Sequence, residues 1–116
     1  MITAFFLLRR DLEMSDAKLA VQVGHGTDFI HMSGKDNTSY AGWLNGADRR
    51  KIVLEVNTED HLTNIIMILE RIGTRFDVIE DWLGSEFEGK RVTGVVVHPL
   101  EEQYLPKKLK RLRLWS

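Results

Sequence analysis

An apolar run, Ile2 to Leu8, opens the chain and restricts what it can fold into. It is too short to cross a bilayer and reads as a buried strand. Behind it the period changes. Ser15 is a good N-cap, and Leu19, Val23 and Ile30 mark one apolar stripe of a helix running roughly from Asp16 to Met32. A buried strand that leads directly into a long helix points to an α/β architecture.

The rest of the chain repeats the alternation. Ser33 to Ser39 is a polar loop with turn residues Gly34, Asp36 and Asn37. A short helix is expected over Tyr40 to Leu44, ending near Gly46. Lys51 to Val56 is rich in apolar and β-branched residues and reads as a second strand. Asn57 is expected to cap a second long helix, striped by Leu62, Ile65, Ile66, Leu69 and Ile72 and stopped by Gly73. Phe76 to Glu80 is a third strand and Val92 to Val97 a fourth, with Pro99 stopping it. Strands three and four are joined by a loop, Asp81 to Arg91, rather than a helix. The expectation is one three-layer α/β/α domain over residues 1–116, with a mixed, mostly parallel four-stranded sheet.

Composition excludes several classes. A chain of 116 residues supports one core. It has no cysteine, so no disulfide or thiolate chemistry, which suits the cytoplasm. No segment is apolar for long enough to span a membrane, and no basic region precedes the first apolar run, so a signal peptide is not expected. His25, His31, His61 and His98 lack zinc-site spacing. The formal net charge is −1, yet basic residues gather at Arg9-Arg10, Arg49 to Lys51, Lys90-Arg91 and Lys107 to Arg113. Such clusters suit a nucleic-acid backbone, and by default are solvated surface.

One constellation stands out. Lys18, Gln22 and His25 recur at i, i+4 and i+7, so a cation, an amide and an imidazole share a helix face away from the apolar stripe. Sites in open α/β sheets form at the carboxyl ends of strands. The Arg9 to Lys18 segment and the Asp81 to Arg91 loop both leave such ends, so the two are expected to meet.

These residues carry a resemblance. Asp11, Met14, Lys18, Ala20, Gln22 and His25 resemble the N-terminal signature of the archaeal and eukaryotic (type 2) peptidyl-tRNA hydrolases, Asp-Leu-x-Met-Gly-Lys-Gly-Lys-x-Ala-Ala-Gln-x-x-His-Ala. The likeness continues at Trp43, Gly46 and Lys51-Ile-Val-Leu-Glu-Val56, and resumes from Asp81 through Thr93 to Pro99. It implies a cytoplasmic, metal-free and cofactor-free hydrolase of the peptide–tRNA ester, a homodimer, with tRNA as partner and no membrane. Carried over residue by residue, it implies Lys18, Asp81, Ser85 and Thr93 as catalytic positions. Ester hydrolysis needs a positioned water, oxyanion stabilisation and protonation of the leaving oxygen. Lys18 can supply charge near the oxyanion or a phosphate, Asp81 can orient Lys18 or polarise the water, and Ser85 and Thr93 can hold the water or donate to the carbonyl oxygen. By default these four are a solvated lysine, a turn aspartate and ordinary loop and strand residues.

Gln22, His25, Arg10 and Trp82 are the expected substrate contacts. Gln22 can bond the loop opposite, and His25 either bonds RNA or is satisfied by its surroundings. Trp82 can stack on a terminal base, worth about 1–3 kcal/mol, but packing ranks first for it. The tail Lys107 to Trp115 alternates near its end like an edge strand. The chain also departs from the family pattern. Ser15-Asp16-Ala17 stands where the family has Gly-Lys-Gly, the loop Trp82-Leu83-Gly84-Ser85-Glu86 lacks the family's arginine, and His98-Pro99 replaces Gly-Pro. These changes keep two other functions in play: an RNA- or protein-binding module, and a hydrolase of another small ester or amide.

Overall fold

The computed structural model describes residues 1–82 and 89–116. Four strands, β1 (Ile2–Arg9), β2 (Lys51–Val56), β3 (Phe76–Asp81) and β4 (Arg91–Glu101), form one sheet in the order β2-β1-β4-β3. Helix α1 (Asp16–Ser33) and the short α2 (Tyr40–Leu44) cover one face. Helix α3 (Glu59–Ile72) and a turn of helix, α4 (Lys107–Lys110), cover the other.

β1 is buried from Thr3 to Arg9 because it feeds both cores. Phe5 and Leu7 pack with Leu62, Ile65 and Leu69 of α3, while Ala4, Phe6 and Leu8 pack with Ile30 and Trp43 on the opposite face. Period-two alternation therefore sends its side chains into two separate apolar layers, and the three-layer expectation holds.

The expectation of a mostly parallel sheet does not. β1 and β2 pair in parallel, but β1–β4 and β3–β4 are antiparallel. β1, β2 and β3 all point the same way, and β4 lies between β1 and β3. β4 takes the place next to β1 that a parallel strand would hold and makes two antiparallel ladders instead.

Pro99 does not stop β4, which continues to Glu101. The ladder to β1 shifts register between Thr3 and Phe5, so Ala4 faces both His98 and Pro99. A proline has no N–H to offer, and a bulge is where a strand tolerates one. The adjacent His98 is buried, its Nε2 2.6 Å from Asp77 Oδ2, which also accepts from Ser33 Oγ at the end of α1.

Thr58, not Asn57, caps α3, its hydroxyl accepting from the His61 N–H at 3.1 Å. Gly73 ends that helix at φ 79°, a left-handed position that favours glycine. The tail is less regular than an edge strand. After α4 only Leu114 makes a bridge, antiparallel to Leu54 of β2.

Candidate active site

The two segments expected to meet do so at Asp81, the last residue of β3. Lys18 Nζ lies 2.8 Å from Asp81 Oδ2, Gln22 Nε2 donates to the same oxygen at 2.7 Å, and His25 Nε2 stands 3.6 Å away. Helical periodicity makes this convergence possible, since these residues share a face. The cap fixes where the face begins: Ser15 Oγ accepts from the Lys18 N–H at 3.1 Å. The backbone N–H of Trp82 holds the other carboxylate oxygen at 2.8 Å.

Burial by itself raises the pKa of Asp81. Hydrogen bonds from Lys18, Gln22 and the Trp82 N–H, helped by the Lys18 charge, outweigh it and bring the pKa from 3.8 down to about 2. Asp81 is thus a fixed anion at neutral pH. It is mostly buried, with its side chain 12% exposed, whereas Lys18 is 32% exposed and can reach a ligand.

A second, hidden layer supports this pair. Gln22 and Thr93 are both fully buried. Thr93 Oγ1 donates to Gln22 Oε1 at 2.6 Å, with the Ile79 carbonyl as a longer acceptor at 3.2 Å. Thr93 sits in β4 beside β3, so the sheet sets the hydroxyl and the hydroxyl sets which end of the Gln22 amide faces Asp81. Thr93 therefore lies behind Gln22, and its hydroxyl does not face solvent. Gln22 likewise is buried between Asp81 and Thr93.

The remaining expected residues spread out. His25 is partly exposed beside Asp81. Arg10 lies apart from this cluster, stacked 4.6 Å over the Trp115 ring and 3.6 Å from Glu55. Trp82 is 56% exposed. Ser85 lies outside the described residues. Among the described residues no group of three or more His, Cys, Asp or Glu is placed to hold a metal ion, and no helix is long and apolar enough to cross a membrane.

Sequence reasoning groups Arg9 with Arg10 as surface charge, but Arg9 is buried. It grips Asp11 with two bonds, 3.1 and 2.8 Å, and donates to the Val92 carbonyl at 3.0 Å. It thereby ties the end of β1 to the start of β4 beneath the site. Its place directly after the apolar run Ala4 to Leu8 is the signal that it is not an ordinary surface residue.

Fold and site together define a small α/β/α protein with an ion-paired lysine and carboxylate at the carboxyl ends of its co-directional strands. The family model described as Peptidyl-tRNA hydrolase PTH2 matches residues 2–115, and the chain belongs to that family. A protein named peptidyl-tRNA hydrolase from Methanococcus maripaludis (strain C6) is 30% identical over 110 residues, covering 93% of this chain and 94% of the relative. One of the same name from Saccharolobus solfataricus is 27% identical over 107 residues, 88% and 89% of the two chains. A third, from Thermoplasma acidophilum, is 28% identical over 102 residues, 86% of each.

Proposed function

We propose that this chain hydrolyses the ester between peptide and tRNA in peptidyl-tRNA, releasing free tRNA. The observation that carries this reading is the convergence of Lys18, Gln22 and His25 on Asp81 at the mouth of the sheet. Water adds to the ester carbonyl carbon, the carbonyl oxygen takes up negative charge, and collapse breaks the bond to the ribose oxygen, which leaves with a proton. Lys18 is the positive charge for the developing oxyanion. A carboxylate with a pKa of about 2 is a weak base at neutral pH, so Asp81 acts by holding Lys18 and orienting the water. Thr93 and Gln22 are positioning residues, and Ser85 is proposed as a hydroxyl that holds the water. His25 and Arg10 are proposed as contacts to the tRNA. The proposed setting is the cytoplasm, with the whole chain acting as one domain in a homodimer.

The test is release of free tRNA from an N-acylated aminoacyl-tRNA. Wild type turns over, while Lys18→Ala and Asp81→Asn each lose about a hundredfold or more, the scale of one lost electrostatic contact in a transition state. No release by wild type refutes the activity, and binding of tRNA without turnover supports the binding-module alternative. Release that survives both substitutions refutes the site.

A further inference from the structure

A cleft of 420 Å³ opens beside Asp81, between the outward face of α1 and the end of β3. Its apolar lining comes from Phe29, Met32 and Trp82. Met32 and Trp82 are 78% and 56% exposed, large apolar groups that nothing in the described chain covers. Its acidic lining adds Asp28 and Glu80, both exposed and neither in an ion pair among the described residues. Lys90 and His25 complete the wall.

We infer that this cleft is the subsite for the peptide end of the substrate, and that it takes an apolar or cationic side chain on the ester-linked residue while rejecting an anionic one. The inference rests on the hydrolase reading above. Reach is the first reason. The side chain of that residue branches from the carbon next to the ester carbonyl, so it must enter a space continuous with Asp81, as this cleft is. Charge is the second. Asp28 and Glu80 outnumber Lys90 among the described residues, with Asp81 already paired to Lys18, which disfavours a further anion such as an acidic side chain. Chemistry is the third, since Phe29, Met32 and Trp82 offer an aliphatic or aromatic side chain a place out of water.

The experiment charges one tRNA body with N-acetyl-Leu, N-acetyl-Lys or N-acetyl-Asp and compares kcat/KM. Wild type should favour Leu and Lys over Asp by about tenfold or more, within the range that pocket contacts supply. Trp82→Ala should shrink the Leu:Asp ratio, and Asp28→Asn with Glu80→Gln should raise the Asp substrate selectively. Equal rates for all three substrates in wild type overturn the subsite while leaving the hydrolase reading intact. A uniform loss across substrates in Trp82→Ala, with weaker binding of uncharged tRNA, assigns the cleft to the terminal base and overturns it too. So does a change of oligomeric state in Trp82→Ala with the ratio unmoved, which makes the cleft a contact between copies. No turnover of any substrate removes the hydrolase reading and the subsite together.

Discussion

Thr93→Val is the sharpest probe of how the site is built. Valine matches threonine in shape and keeps the β4 backbone, so the substitution removes one O–H and little else. Gln22 Oε1, fully buried, loses the donor that lies 2.6 Å away. An unsatisfied buried carbonyl costs about 1–3 kcal/mol, equivalent to roughly 4 °C in Tm per kcal/mol for a chain of this size. With its oxygen unpinned, the Gln22 amide holds Asp81 less firmly, and kcat should fall while KM changes little. The assay is a double-mutant cycle with Gln22→Leu, read by urea denaturation at constant m-value and by tRNA release. In the Gln22→Leu background the Thr93 hydroxyl turns to the Ile79 carbonyl at 3.2 Å, so Thr93→Val loses only an ordinary hydrogen bond. The expected coupling is about 1 kcal/mol. If Thr93→Val costs the same in both backgrounds, within about 0.5 kcal/mol, the relay from β4 through Gln22 to Asp81 is refuted.

Acid titration gives a second check. The folded pKa of Asp81, about 2, lies below 3.8, so its contribution is fully present above that usual value and is lost as pH falls toward 2. It amounts to about 2 kcal/mol, and Asp81→Asn should flatten that part of the acid-unfolding curve followed by circular dichroism. Arg9→Lys keeps the charge but cannot form the two-pronged bond to Asp11 while also reaching the Val92 carbonyl. It should cost about 2–3 kcal/mol in urea denaturation and lower activity, because β1 and β4 part beneath the site. Gly94→Ala adds a Cβ that overlaps the Leu7 carbonyl oxygen in the centre of the sheet. The cost should sit at the upper end of about 1–3 kcal/mol in thermal melts, and an unchanged Tm would contradict the close approach of the strands.

Much of the site is legible in the chain because helical spacing is local. Lys18, Gln22 and His25 share a face by periodicity alone, and Asp81 follows a readable strand. What eludes such reading depends on neighbours brought from afar. Gln22 reads as a substrate contact that can bond the loop opposite, and only the arrival of Thr93 from β4 makes it a buried linker. Arg9 looks like half of a basic pair until Asp11 and Val92 close around it. Pro99 reads as a strand terminator because the bulge that accommodates it exists only in the pairing with Ala4. The mostly parallel expectation fails for the same cause. Local pattern leads one to expect a loop rather than a helix between β3 and β4, but not that β4 slides in beside β1. Trp82 reads as a packing residue since aromatic side chains usually pack, whereas here it borders an open cleft.

The position of β4 also bears on how the molecule comes into being. The last of the four strands in chain order is an interior strand of the sheet. Until it emerges, β1 and β3 have no ladder between them, and the carriers of Lys18 and Asp81 lack the strand that sets their spacing through the sheet. Contacts this distant in sequence slow folding, and a growing chain lacking β4 exposes unpaired edges and apolar faces that favour aggregation. A chain cut short before residue 91 should therefore be not a weakened enzyme but two loose fragments of one, and the appearance of activity during synthesis should report a single late event.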